Sequence, residues 1–463
     1  GLARPMEVEL VVVGGPVGLP DGRRGGGLAL DGGRIVAIED DEALPASGAR
    51  IDATGLHVLP GVIDTHTHAR DPSVDAREDF ATATAAAAAG GITTILEMPI
   101  SSPSVSSAEV FHRRRDAIEP KAHVDFGLYG GAAGDNLDDI AGLADAGVVG
   151  FKTFRTPVPP GREAEFVGLC APDAADYLAA LQRVAATGLV AAVHAEDAQL
   201  LARNEARLRA AGDDGPSSHA RWRPEIVEVA SVAQSIELAR SAGARLQIAH
   251  CSTPADVHLA MVARAHATVT IETCPHYLYL TEADLERHGP YAKINPALRS
   301  EITVDSLWSY LADGGIDVVG SDHSPFLVEE KEPFWADMWG AKPGAPGLEA
   351  LVPLMLTGVA DERLTLERMV EVTSSNAAAI FGLRDKGAIR VGADADLVVV
   401  DTEHVGFIDT STWLTRSKGT GRLWDGRPVR GRVAVTVVRG RIVCRDGVIV
   451  GKPGWGRLVR PNA

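Results

Sequence analysis

Eight short apolar runs, most of them separated by helix-like segments, restrict the fold of this chain more than any other feature. They cover residues 58–68, 92–99, 124–130, 148–154, 189–196, 246–252, 268–275 and 316–324. Near-continuous apolar runs of this length suit strands buried on both faces. The segments between them carry helix punctuation. "EDFATATAAAAAG" is alanine-rich and stops on glycine, and "PDAADYLAALQRVAATG" opens near Pro-Asp and stops on glycine. Eight buried strands alternating with helices predict an α/β fold, a (β/α)8 TIM barrel. An open doubly wound sheet competes, but no Gly-rich phosphate turn follows the first run.

The two ends of the chain follow another rule. "VELVVVGGPVGL", "GLALDGGRIVAI" and "GRVAVTVVRGRIVCRDGVIV" are β-rich runs broken at Gly or Asp-Gly, and "GADADLVVVD" adds another. They predict one small β-sandwich domain built from residues 1–56 and 385–463, around a barrel at residues 57–384. "GLARP" ahead of Met6 reads as the remnant of a tag.

A net charge of −17 argues against nucleic acid and anionic membrane as partners. No apolar run approaches the ~20 residues that a membrane span needs. Cys170, Cys251, Cys274 and Cys444 are far apart, form no metal-type pair and suit free thiols in a reducing compartment. With no signal-peptide pattern at the start, a cytoplasmic protein is expected.

TIM barrels do chemistry at the C-terminal ends of their strands. The first run ends with His66 and His68, the fourth carries Lys152, the fifth and sixth end near His194 and His250, and the eighth ends at Asp322. Alternate residues on a strand share a side, so His66 and His68 can aim two imidazoles at one point. Each residue alone has a dull explanation: a solvated histidine, a snorkelling lysine, a capping aspartate. Four histidines, an aspartate and a lysine at one face of one barrel fit a shared metal site better. They exceed what one catalytic zinc uses, so two ions are expected. Lys152 can join the ligands if its neutral amine captures CO2 as a carbamate.

These residues, in this order, resemble the binuclear amidohydrolase superfamily. "PGVIDTHTH", "GFKTF", "VHAED", "AHCST", "ETCPHYL", "SDHSP" and "NAAAIFGL" are similar to its cyclic-amidase branch of allantoinases, dihydroorotases, hydantoinases and dihydropyrimidinases. The resemblance implies a carbamylated Lys152 bridging two divalent ions. It places His66, His68 and Asp322 on the first ion and His194 and His250 on the second. Zinc is the implied metal, with manganese, cobalt or iron compatible with N/O ligands. It also implies a homodimer or homotetramer.

Such a site opens a ring C–N bond with a hydroxide bridging the ions, while Asp322 carries the proton to the leaving nitrogen. The substrate signals divide. Arg70 resembles the arginine that binds the substrate carboxylate in dihydroorotases, and Asn295 in "KINPALRS" is also dihydroorotase-like. However, "EMPISSP" has Ile100 and Ser101 where a dihydroorotase has asparagine, and "SDHSPF" has Phe326 in place of a second histidine. These stretches resemble allantoinase more, so an allantoinase-type ureide is favoured, with dihydroorotate, a hydantoin, a dihydropyrimidine or an imide behind it. A non-catalytic scaffold is disfavoured because no ligand position is lost. The plain alternative for Arg70 is an ion pair with Asp71, Asp75 or Asp79. Arg155 could reach the site mouth. Trp335 and Trp339 could also line the mouth; four apart, on a helix they would share a face and more often pack in the core. A lid could lie between Pro325 and Gly347.

Overall fold

The structure, a computed structural model, describes residues 7–19 and 24–462. The tag reading at residues 1–5 lies outside the described residues. Eight parallel strands form the barrel in chain order: Val62–Thr67, Ile92–Glu97, Asp125–Leu128, Gly150–Phe154, Val190–His194, Arg245–Ile248, Val269–Thr273 and Val318–Val319. The third continues as Gly130–Gly131, which pairs with Phe151 and Lys152. The ring closes where Thr67 meets His323 in a parallel bridge, and the His68 N–H donates to the His323 carbonyl at 2.8 Å. Asp64 reinforces this closure. Buried in the first strand, it accepts from the Ser321 N–H at 2.7 Å and the Ser321 hydroxyl at 2.5 Å.

The helices begin and end where their sequences direct. Asp79 accepts from the Thr82 N–H and caps Phe80–Ala89, which stops at Gly90. Asp173 caps Ala174–Thr187, which stops at Gly188 with φ +73°. No described helix is long and apolar enough to cross a membrane.

The first run is two strands rather than the single strand expected over 58–68. His57–Pro60 pairs with Leu397–Val400 in a seven-stranded sheet, and Val62–Thr67 opens the barrel. The chain changes partner at Gly61, where a side chain's first carbon would sit 2.2 Å from Thr93 Oγ1. Only glycine permits so close a crossing. The seven-stranded sheet faces a four-stranded one, in the order Arg34–Glu39, Gly27–Asp31, Val8–Val13, Ser47–Asp52. Leu10, Val12, Leu28 and Ile51 from the smaller sheet pack against Val58, Leu397, Val399 and Val435 from the larger. These two sheets are the β-sandwich.

The C-terminal tail ties sandwich to barrel. Leu458 bridges to Phe126 on the third barrel strand, and the Val459 N–H donates to the Phe126 carbonyl at 2.8 Å. Close by, buried Lys386 reaches Asp125 at 2.8 Å, Asp394 at 3.1 Å and Asp396 at 2.6 Å. Arg439 also pairs with Asp125. Without Lys386 and Arg439 the buried Asp125 would lack a charge partner, whereas Asp394 also meets Arg34 at 3.2 Å.

Candidate metal centre

The first barrel strand is buried along its whole length. Its final alternation delivers His66 and His68 to the mouth from one side. His66 Nε2 lies 3.2 Å from His68 Nε2, and both face Asp322 Oδ1, at 3.2 and 3.4 Å respectively. Lys152 Nζ lies 3.4 Å from His66 Nε2. Across the mouth, His194 Nδ1 lies 2.9 Å from His250 Nε2. The rings of His66 and His250 are 5.2 Å apart, so the two groups adjoin. The predicted ligands His66, His68, Lys152, His194, His250 and Asp322 are thus brought together, all buried.

The backbone bends sharply to achieve this. Arg70, His250 and Asp322 have φ of +57°, +40° and +46°. Left-handed backbone at non-glycine residues costs about 1 kcal/mol or more each. Here it turns side chains inward just past strand ends. The eighth strand is accordingly short, because the chain bends away after Val319 to present Asp322.

Two buried carboxylates set the imidazole tautomers. Glu272 Oε1 accepts from His66 Nδ1 at 2.7 Å, leaving the Nε2 lone pair facing the mouth. Glu196 Oε2 accepts from His194 Nε2 at 2.7 Å, leaving the Nδ1 lone pair facing His250. Glu196 is in turn paired with Arg223. Lone pairs aimed at other ring nitrogens at such range need a proton or a cation between them. His66, His68 and Asp322 therefore form a group that can hold a metal ion. Burial also keeps His68 and His250 neutral, far below the usual imidazole range. It pushes Lys152 down to about 8. Burial alone would raise the Asp322 carboxyl, but His66, His68 and His250 outweigh it and hold it well below the carboxylate range. The donor set is neutral nitrogen plus anionic oxygen, the chemistry that a divalent cation takes.

The centre forms the floor of a cavity of about 440 Å³. Arg70, Asn295, Phe154, Trp222 and Trp339 stand in its wall. Larger depressions of about 560 and 470 Å³ elsewhere contain none of the ligands. Arg70 is buried, with Nε and Nη1 unpartnered among the described residues. Burial, then Arg162 and Arg77, lower its pKa to about 9, so it stays charged at pH 7. The ion-pair reading for Arg70 fails. Asp71 pairs with Lys121 at 2.7 Å, Asp79 pairs with Arg416 at 2.5 Å, and the Asp75 carbonyl also accepts from Arg416. Asn295 Oδ1 is also buried without a partner.

Arg155 does not join the site. Its guanidinium donates to the carbonyls of Ala171 and Asp173 and to Gln234, and stacks over Tyr177 at 4.7 Å. It lies just past the strand Gly150–Phe154, where the chain turns and its guanidinium is taken up by these neighbours. Trp335 and Trp339 share no helix, since Glu332–Phe334 is a 3-10 turn. Trp339 stacks near Trp222 with ring centres 4.9 Å apart. Trp335 is 38% exposed.

Residues 57–443 match the amidohydrolase family. The chain belongs to that family. It is 37% identical to an L-hydantoinase from Paenarthrobacter aurescens, covering 95% of each chain. It is 37% identical to an allantoinase from Deinococcus radiodurans, covering 99% of this chain and all of that one. Among solved structures, the L-hydantoinase (dihydropyrimidinase) from Arthrobacter aurescens superposes with a TM-score of 0.93 at 35% identity, covering 98% of this chain and 100% of that one.

As an amidohydrolase, the chain carries two supports that the ligand search passed over, Glu272 and Glu196. Both lay inside the quoted stretches "ETCPHYL" and "VHAED", and Glu196 stands two residues after His194, just past the end of its strand. Glu272→Gln is expected to weaken metal affinity 10- to 100-fold, because a neutral amide no longer holds the His66 tautomer. Metal retention during dialysis against a graded chelator checks this.

Proposed function

We propose that this protein hydrolyses a C–N bond of a ring ureide, with an allantoin-type ring favoured. The observation that carries the reading is the pair of adjoining histidine groups with Asp322 and Lys152 on the floor of one 440 Å³ cavity. Allantoinases among the relatives, at 36–38% identity, support the ring type. In this reading His66, His68 and Asp322 hold one divalent ion and His194 and His250 a second. Zinc is first choice, with manganese, cobalt or iron alternative.

The ions, when bound, polarise the ring carbonyl and lower the pKa of water toward neutrality. The chain supplies the rest. Lys152, with its amine eased toward the neutral form, adds CO2 and loses a proton to become a carbamate, whose oxygens would help hold the metal. Asp322 accepts the proton of the attacking water and returns it to the leaving ring nitrogen. Glu272 and Glu196 keep the histidines in their binding tautomers. Arg70 donates to an acceptor on the ring substituent, and Asn295 Oδ1 accepts a ring N–H. A cytoplasmic dimer or tetramer belongs to this reading on resemblance alone.

The free Arg70 donors favour one second reading, a ring that carries a carboxylate, as in dihydroorotate. Turnover of metal-loaded protein on allantoin, dihydroorotate and a 5-substituted hydantoin, side by side, decides. We expect allantoin to lead in kcat/KM. A lead for dihydroorotate transfers the assignment to the carboxylate ring, and activity on none removes the proposal.

A further inference from the structure

Arg70 is held in an unusual way. Its backbone N–H donates to Glu97 Oε1 at 3.0 Å, but its guanidinium is not neutralised there. The carboxylates around it are engaged elsewhere. Glu97 pairs with Arg114 at 2.5 Å, Glu165 with Arg162 at 2.5 Å, and Glu330 accepts from Arg77 Nε at 2.9 Å. What the guanidinium does meet is a ring face: Arg70 Cζ lies 4.5 Å from the Phe326 centroid. Arg77 and Lys331 also approach that ring, at 5.3 and 5.5 Å. Phe326 is only 1% exposed. Its seat is tight. Gly344, at φ +131°, leaves the space, since a first side-chain carbon there would come within 3.0 Å of the ring.

A salt bridge and a ring face hold an arginine differently. A carboxylate takes the N–H edges and cancels the charge. An aromatic face attracts the flat side of the guanidinium and leaves the edges free. Free edges in a fixed plane suit a planar oxygen acceptor, a carboxylate or a ureido carbonyl. We propose that Phe326 is the positioning residue that gives Arg70 its selectivity, by shelving the guanidinium beside the cavity with its donors unpaired. The enzyme then prefers rings bearing a planar acceptor substituent over the same rings without it. This rests on the ring-ureide reading for the choice of substrates.

The test uses two pairs of rings that differ only in the substituent: allantoin against hydantoin, and dihydroorotate against dihydrouracil. KM is measured for wild type, Phe326→Leu and Phe326→Tyr, with metal content and Tm as checks on folding. Kd is measured for the same rings on Asp322→Asn protein, with and without Phe326→Leu. We expect wild type to favour the substituted ring in at least one pair, and that pair names the acceptor. Phe326→Leu reduces this preference about tenfold, and Phe326→Tyr restores it. If Leu does not fold, Phe326→Met takes its place. An unchanged preference in Phe326→Leu overturns the proposal, as does equal affinity for substituted and bare rings. A fall in kcat on all rings alike with KM unmoved also overturns it. If no ring turns over but the Kd preference behaves as expected, the ureide-hydrolase reading falls and the Phe326 assignment stands.

Discussion

Asp322→Asn is expected to lower kcat by a factor of about 10³ while most of the bound metal is retained. Asparagine has the shape of aspartate and keeps an oxygen where Oδ1 stands, 3.2 Å from His66 Nε2 and 3.4 Å from His68 Nε2. It cannot take a proton from water and return it to nitrogen. Positioned acid–base groups contribute about 10²–10⁴-fold, and the reaction needs both halves of that transfer. The imidazoles that hold the Asp322 carboxyl far below its ordinary range also keep it ionised at working pH. Steady-state kcat with metal analysis on the same sample checks the expectation. Full turnover in the variant would assign the proton to another group.

Lys152→Met is expected to cost at least about 10³ in kcat, and here metal is lost too. Lys152 is fully buried at the centre of the floor, 3.4 Å from His66 Nε2. Methionine fills nearly the same volume, so packing and Tm should hold or improve once the buried amine is gone. What disappears is the nitrogen that adds CO2, and with it the carboxylate that would help hold the metal. Two readouts separate this from a general defect. Wild type grown or incubated with ¹³C-bicarbonate should give a carbamate carbon resonance that is absent in Lys152→Met. Metal content should fall toward one ion per chain or fewer. A variant that keeps two ions and full rate would remove the carbamate from the account.

The residues that gather on this floor were legible in the sequence because a barrel exposes chemistry at one predictable place. A histidine or aspartate at a strand's C-terminal end already has an address. Arg155 was misplaced because the partners that hold its guanidinium, the carbonyls of Ala171 and Asp173 and the side chain of Gln234, lie outside the local phrase "FKTF". Arg70 is different. Its supposed partners Asp71 and Asp79 are engaged by Lys121 and Arg416, and Arg416 lies more than 300 residues away in sequence. No local reading contains that information. The tryptophan helix failed for a local reason, because Pro333 sits within a 3-10 turn and the following segment stays irregular. The split of the first run at Gly61 was hidden because both halves are equally apolar; only their partners differ.

The central claim is that one chain works with two ions on this floor. Activity of chelated protein should be followed as zinc is added back in the presence of bicarbonate, on whichever ring turns over best. The account predicts that activity rises to a plateau at two equivalents per chain. A plateau at one equivalent, or full activity in the chelated protein, would contradict it.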